Sequence, residues 1–219
     1  MTPRHHIPDD LLVGYAAGTV SEAVSLLVAS HLALCPDCRS RCARLESIGG
    51  AVLESVTPTA VSPDALSTML AMLDTPAPPP PPRPVLPAAF ADLNLPGPLR
   101  DYVARSGQTD WDTLIPGTLH QVTLPVSIND TPVRLTRMRG GFKVPQHTHT
   151  GRELNLVLTG GFHDRGEGFG PGDISDRSAD VTHALHIDPG EPCVLLAVNT
   201  HPLVPVGVLA NIAKWLVGF

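Results

Sequence analysis

A proline-rich segment interrupts the chain of 219 residues at positions 75–87, which read TPAPPPPPRPVLP. Each proline removes a backbone donor and fixes φ, so neither a helix nor a strand can continue through this run. Polyproline II geometry rises by about 3.1 Å per residue, which would hold the flanking parts tens of ångströms apart. We therefore predict two domains, residues 1–75 and 96–219, joined by a linker over residues 76–95.

The part before the linker has helical periodicity. Apolar residues recur at spacings of three and four between positions 20 and 35. Thr19 and Glu22 have the spacing of a capping box at the start of this helix. Similar signals predict three more helices, which begin at Asp9 or Asp10, at Arg39 and near Ser62. Residues 1–75 are therefore predicted to form a small four-helix domain.

In the part after the linker, the period of the apolar residues changes to two. The runs VRLTRMR, ELNLVLTG and CVLLAVN are short and separated by Gly, Pro and Asp. This pattern is typical of strands in a small antiparallel sandwich or barrel. The last residues, 205–219, are apolar enough to be buried against the barrel or a second chain. The predicted fold class is thus multidomain α + β, with a helical domain followed by an antiparallel barrel.

Charge and hydropathy exclude some classes of partner. The net charge of -6 argues against direct binding of nucleic acid, because such binding depends on Lys and Arg that neutralise phosphates. The N-terminal residues MTPRHHIPDD do not resemble a secretion signal, and no apolar run reaches the roughly 18 residues of a membrane span. We expect a cytoplasmic protein that does not contact a membrane. Residues 1–75 carry eight Asp and Glu against four Arg, which suits a basic protein partner.

The stretch HLALCPDC at positions 31–38 is the first candidate site. His31 and Cys35 are four apart on a helix and share a face, and a turn after Pro36 can return Cys38 to the same point. Structural zinc takes four N or S ligands, so one more ligand is needed, and His5 and His6 are available. A thioredoxin-type dithiol is disfavoured because no βαβ pattern surrounds it, and unliganded core thiols are the other alternative.

This pattern of an early histidine followed by HxxxCxxC resembles the zinc-binding anti-sigma factors. The resemblance implies that His6, His31, Cys35 and Cys38 hold a zinc ion in the helical domain. We prefer His6 to His5 because it lies nearer the first helix. Cys42 fits a buried thiol best, although it could also replace a histidine as ligand.

The second candidate site begins at Gly141, where the sequence GFKVPQHTHTGRELNLVLTG matches the first cupin motif. His147 and His149 lie two apart on a strand and therefore project to the same side. Glu153 follows on the next strand. A second motif is weaker: FGPGD is a good turn, and the histidine that should follow it arrives only at His183. Three imidazoles and one carboxylate suit Zn, Fe or Mn by ligand type.

The two halves together resemble the ChrR-type anti-sigma factors over nearly the whole chain. The resemblance implies that the helical domain binds an extracytoplasmic-function (ECF) sigma factor and masks its surfaces for RNA polymerase core. It also implies that the cupin domain is needed for release after an oxidative signal such as singlet oxygen. An open metal position there could bind a small molecule or an oxidant. The alternative is a metal-dependent cupin enzyme, for instance a dioxygenase, with an accessory helical domain; the zinc motif favours the regulator, which is not an enzyme.

Overall fold

The structure is a computed structural model that describes residues 2–80, 85–127, 131–149, 151–179, 181–199 and 203–205. The N-terminal part and the segment before the sheet are helical. The α-helices are α1 (Asp9–Ala16), α2 (Glu22–Leu34), α3 (Pro36–Glu54), α4 (Ala65–Leu73) and α5 (Gly97–Arg105), with a 3₁₀ turn at Ala88–Phe90. Within these described ranges, no helix is long and apolar enough to cross a membrane.

The remainder consists of antiparallel strands. Their bounds are β1 (Asp112–Ile115), β2 (Leu119–Leu124), β3 (Val133–Met138), β4 (His147–His149), β5 (Glu153–Thr159), β6 (Phe162–Asp164), β7 (Glu167–Phe169), β8 (Ile174–Arg177), β9 (His186–Ile187), β10 (Cys193–Asn199) and β11 (Leu203–Pro205). A six-stranded sheet has the order β1-β2-β3-β10-β5-β8, and two smaller sheets have the orders β11-β4 and β7-β6-β9. The predicted antiparallel barrel is confirmed.

The central strand β10 separates two apolar cores. Successive side chains point to opposite faces of a strand. Leu196 and its neighbours in register, Leu135 and Leu156, belong to a core shared with the helices. Leu195 instead contacts a second core inside the barrel, together with Phe162 and Phe169. The sheet therefore carries the helices on its outer face and encloses the barrel interior with its inner face.

The helices pack directly on the barrel, so the expected wide separation of the two parts is wrong. The side chain of Glu22, at the start of α2, accepts a hydrogen bond of 2.6 Å from the hydroxyl of Tyr102 in α5. It also accepts a hydrogen bond of 2.8 Å from the backbone N–H of Ser127, which lies in the loop after β2. Burial of the shared apolar core outweighs any tendency of the proline run to hold the two parts apart. The predicted domain limits stay a prediction.

Several local expectations change. Ser21 rather than Thr19 caps α2, because its hydroxyl accepts the N–H of Val24, which leaves Glu22 free to reach the barrel. Helix α3 begins already at Pro36.

Helix α4 has no buried residue and thus does not complete a four-helix core. Helix α5 is absent from the predicted helices, although Pro98 in its first turn is a helix-start signal. The tail at 206–219 lies outside the described residues.

Two candidate metal centres

The junction of α2 and α3 brings together all four residues predicted for the first site. One ligand atom from each of His6, His31, Cys35 and Cys38 lies within 4.8 Å of the other three. The Nδ1 atom of His6 is 3.4 Å from the sulfur of Cys35 and 3.5 Å from that of Cys38. Cys35 caps α3 and Cys38 lies in its first turn, so the short connection between helices sets the spacing of the thiols.

The orientation of His31 is fixed from the barrel side. Its Nδ1–H donates to the carbonyl oxygen of Gly172 at 2.8 Å, in a fully buried position. The Nε2 atom is therefore the one with the lone pair, and it is buried with no hydrogen-bond partner among the described residues. Burial lowers the pKa of His31 to about 4, because the charged imidazolium is poorly solvated there. The ring is thus a neutral ligand at physiological pH.

This arrangement fits a tetrahedral zinc ion. With Zn–S near 2.3 Å and Zn–N near 2.05 Å, tetrahedral ligand atoms lie roughly 3.5 Å apart, as the nitrogen of His6 and the two sulfurs do here. Burial raises the pKa of the Cys38 thiol, and a bound cation would reverse that effect by stabilising the thiolate. His5 lies elsewhere, with its ring 4.4 Å from that of Phe169. The Cys42 thiol donates to Glu46.

The second cluster lies inside the barrel, where three imidazoles face one carboxylate oxygen. The distances from Oε2 of Glu153 are 3.1 Å to His183, 3.5 Å to His147 and 3.6 Å to His149, in each case to Nε2. His147 and His183 exchange backbone hydrogen bonds of 3.0 Å. His147, Glu153 and His183 form a group of ligand atoms within 4.8 Å of one another. His149 adjoins this group.

Hydrogen bonds fix which nitrogen each ring presents. His147 and His149 donate Nδ1–H to the carbonyl oxygens of Pro145, at 3.0 Å, and Gly151, at 2.6 Å. Their Nε2 atoms are buried with no hydrogen-bond partner in the described part of the chain. Imidazole nitrogens and a carboxylate oxygen that converge on one point are a typical ligand set for a divalent cation. The donor set therefore fits a divalent metal ion.

The protonation states of Glu153 and His183 in the barrel cluster depend on each other. Burial would raise the pKa of Glu153, but its contacts with the imidazoles of His147 and His183 outweigh that effect and hold the pKa well below its usual range. Burial would also lower the pKa of His183, yet Asp164 and Glu153 raise it to about 9. Asp164 is itself held at 2.6 Å by the Nε atom of Arg177. Without metal, His183 is an imidazolium at neutral pH, and a metal would replace its Nε2 proton.

A cavity of about 260 Å³ opens beside the barrel cluster. His147, Glu153 and Asn155 lie at its wall, and Asn155 donates to Glu153 at 2.8 Å. Most of the remaining lining is apolar, including Met138 and Phe142. A metal held by the cluster would thus adjoin a space that accepts a small molecule.

The turn between β7 and β8 ties the first cluster and the N-terminal segment to the barrel. Gly172 in this turn accepts from His31, and the next residue, Asp173, accepts the backbone N–H groups of Arg4 at 2.6 Å and His5 at 2.9 Å. Ile174 in turn donates to the backbone oxygen of His5 at 3.1 Å. The segment that carries His6 is therefore fixed to the same turn as His31.

Sequence reasoning missed the residues that support the ligands. Asp164 and Arg177 orient His183, and their contacts arise only when β6 and β8 come together in the barrel. Gly172 belongs to the FGPGD turn, which was recognised as a turn but not as a contact of the helical site. His120 is partly exposed, as expected for a residue outside the site, and His163 is exposed. His201 lies outside the described residues.

Comparison with known proteins defines the class of protein to which this fold and these sites belong. A family model described as the ChrR cupin-like domain matches residues 99–204. The anti-sigma-E factor ChrR of Cereibacter sphaeroides is 43% identical over 204 residues, which cover 93% of this chain and 92% of that protein. The chain belongs to the ChrR family of anti-sigma factors.

A solved structure of a relative agrees with this assignment. The crystal structure of Rhodobacter sphaeroides SigE in complex with the anti-sigma ChrR contains a chain that is 40% identical, with a TM-score of 0.74, and the match covers 90% of this chain and 99% of that one. An RmlC-like cupin protein of Ralstonia eutropha matches with 15% identity and a TM-score of 0.41 over 46% of this chain and 69% of its own. The latter likeness carries no argument about function.

Proposed function

We propose that this protein is an anti-sigma factor that binds an ECF sigma factor through its helical part and releases it when the barrel receives an oxidative signal. The family assignment supports the first half of this proposal, because a relative that matches nearly the whole chain forms a complex with SigE. By masking the sigma factor, the helical part would prevent its binding to RNA polymerase core. In this proposal the protein performs no catalysis.

The observation that carries the proposal is an exposed apolar surface on two helices. We call it the helical surface, and it consists of the second half of α3 and all of α4. Its side chains are 54–79% exposed, and they are Ile48, Val52, Leu53, Leu66, Met69, Leu70, Met72 and Leu73. Large apolar side chains exposed in such number on a folded protein mark an interaction site. A sigma factor is the occupant that the complex of the relative supports.

A zinc ion held by His6, His31, Cys35 and Cys38 would stabilise the part that carries this surface. The only buried residues of α3 in the described structure are Cys38 and Cys42, so this helix depends on the site for its anchoring. Metal binding to a site that exists only in the folded state adds directly to folding free energy. The four side chains would therefore be stability residues. Zinc here would provide no chemistry beyond holding the helix junction together.

The barrel is proposed as the sensory part, with a metal held by His147, His149, Glu153 and His183. Zn, Fe and Mn all suit this ligand set. The contacts of Gly172 and Asp173 with the segment of the first site give a physical route, because a change in the barrel that moved this turn would also move His31 and His6. A signal can shift the protein between holding and releasing states only by such differential contacts.

A competition experiment tests the proposal. The full chain is added at increasing concentration to an ECF sigma factor from the same organism, and binding of the sigma factor to RNA polymerase core is measured. The proposal predicts that core binding falls as a complex with the chain forms. If core binding is unaffected at a large excess of the metal-loaded chain, the anti-sigma function is wrong.

A metal-dependent cupin enzyme is the second candidate. The cavity beside the barrel cluster favours it, because an open position next to three imidazoles and a carboxylate also suits oxygen chemistry. Oxygen consumption with a small ketone or diol would support this candidate, and its absence together with sigma binding would support the regulator.

A further inference from the structure

The cavity inside the barrel is lined by a cation that pairs with no other residue in the described part of the chain. Arg134, on β3, lines the cavity together with Glu153. Glu153 already interacts with His147, His183 and Asn155. No hydrogen bond or ion pair joins the guanidinium of Arg134 to any other residue that the structure describes. Its positive charge is therefore available to a ligand.

The environment of Arg134 is unfavourable for a lone charge. Burial lowers the pKa of its guanidinium, and no carboxylate among the described residues opposes this effect. Breaking or omitting the partner of a buried charge is strongly destabilising, whereas an anion would restore the balance. Guanidinium groups bind carboxylates with two parallel hydrogen bonds, which gives both affinity and orientation.

The sheet leaves room for a head group next to Arg134. Arg134 pairs in register with Ala197 on β10, and Ala197 pairs with Asn155 on β5. Strands lie about 4.8 Å apart, so the backbones of Arg134 and Asn155 are about 10 Å apart. Only the methyl group of Ala197 lies between them on this row. Asn199, which also lines the cavity, has a buried amide oxygen with no partner in the described ranges.

The rest of the cavity is suited to a hydrocarbon chain. Beyond the polar groups, the lining comes from Leu119, Met138, Phe142, Val144, Leu185 and Leu195. The volume of about 260 Å³ is just below the range of about 300–1,000 Å³ that drug-sized ligands occupy. The occupant must therefore be small, with one polar end and one apolar end.

We propose that the barrel cavity binds a small amphipathic carboxylate, such as a medium-chain fatty acid, with its carboxylate paired to Arg134 and its chain among the apolar side chains. This inference rests on the proposed function, because it names the class of ligand that the sensory part would take. In this proposal the carboxylate of the ligand lies beside β3, and Glu153 lies on β5 in the same sheet. The ligand therefore adjoins the metal cluster, and His147, His149, Glu153 and His183 all remain available to the metal.

Calorimetric titration of the metal-loaded full chain with octanoate tests the proposal, with octanamide as the uncharged probe of the same length. We expect octanoate to bind and octanamide to bind at least tenfold more weakly, since a charge-assisted hydrogen bond contributes about 1.5–3 kcal/mol. Arg134→Met should weaken octanoate by about 10–100-fold. Arg137→Met is the matched control, because Arg137 lies on the outer face of the same strand near Trp111 and should leave binding unchanged.

The outcomes separate this inference from the proposed function. The inference is overturned if octanoate does not bind. It is also overturned if octanoate binds equally well to the wild type and to Arg134→Met, because the metal rather than Arg134 would then bind the carboxylate. Unfolding of Arg134→Met would also overturn it, because it would reveal a partner within the chain itself. Sigma binding is measured on the same proteins: octanoate binding without a sigma complex would leave the ligand site intact and remove only the anti-sigma role.

Discussion

The imidazole of His31 and the carbonyl oxygen of Gly172 are 2.8 Å apart in the buried contact between the helices and the barrel. Because the carbonyl can only accept, His31 donates Nδ1–H and presents Nε2 to the cysteines. Hydrogen bonds of this kind orient metal ligands and raise their basicity. The barrel therefore takes part in building the site of the helical half.

Gly172→Ala tests this relationship. A Cβ atom at Gly172 would lie 2.7 Å from Cγ of Pro3, and the residue has φ +89, so the substitution should displace the turn from the N-terminal segment. We expect zinc affinity to fall about 10–100-fold, as for other losses of outer-shell support. Competition with a chromogenic chelator measures the affinity.

Gly166→Ala is the matched control. Gly166 also has a positive φ, +86, but a Cβ there would meet nothing within 4 Å. Both variants carry the backbone strain of a non-glycine residue in this region, and only Gly172→Ala adds the clash. Equal zinc affinity in the two variants would show that the turn does not support the site.

Cys35→Ser should remove one equivalent of zinc and destabilise the helical part, so that its helices melt at a lower temperature, because structural zinc contributes folding free energy. Elemental analysis and the helical circular dichroism signal measure the two effects. Cys42→Ser should retain the metal, since the Cys42 thiol lies against Glu46 rather than in the cluster. A Cys35→Ser protein with full zinc content and helicity would contradict the first site.

Glu153→Gln should lose the barrel metal, keep the sigma complex and slow its dissociation under singlet oxygen. The physical reason is that the neutral amide attracts a cation less and leaves the three imidazoles without their central charge. His163→Ala is the control, because this exposed ring pairs with Asp188 at the surface. Normal release by Glu153→Gln would remove the sensory role of the cluster.

The two buried imidazoles should titrate on opposite sides of the ordinary histidine pKa in the metal-free protein. Nuclear magnetic resonance should give a pKa of about 4 for His31, lowered by burial, and about 9 for His183, raised by Asp164 and Glu153. Values close to 6.5 for both would contradict the burial and pairing described here.

The signs of the two stability effects follow from linkage. The unfolded chain binds a proton at His31 more readily than the folded chain does, so stability falls as pH drops from 6.5 to 4, by at most about 3 kcal/mol. For His183 the folded state binds the proton more tightly, so the protonated ring stabilises the folded protein. This contribution to the free energy of unfolding is fully present below pH 6.5 and is lost as pH rises through about 9.

Much of the fold could be predicted because the signals are local. The spacing of His31, Cys35 and Cys38 on a helix end, and that of His147 and His149 on a strand, follow from helix and strand periods alone. The packing of α2 on the barrel could not be predicted, since it depends on the shared core. Arg134 also gave no signal, because a lone arginine in a strand acquires meaning only from the cavity around it.

The affinity of the full chain for the ECF sigma factor, measured by calorimetry for two variants, tests the central claim most directly. Leu70→Asp, on the helical surface, should raise Kd by about 30-fold or more, as expected for a central apolar contact. Val85→Asp, at a residue that is 87% exposed in the linker, should leave Kd unchanged. If the sigma factor binds both variants as tightly as it binds the wild type, the helical surface is not where this protein holds its partner.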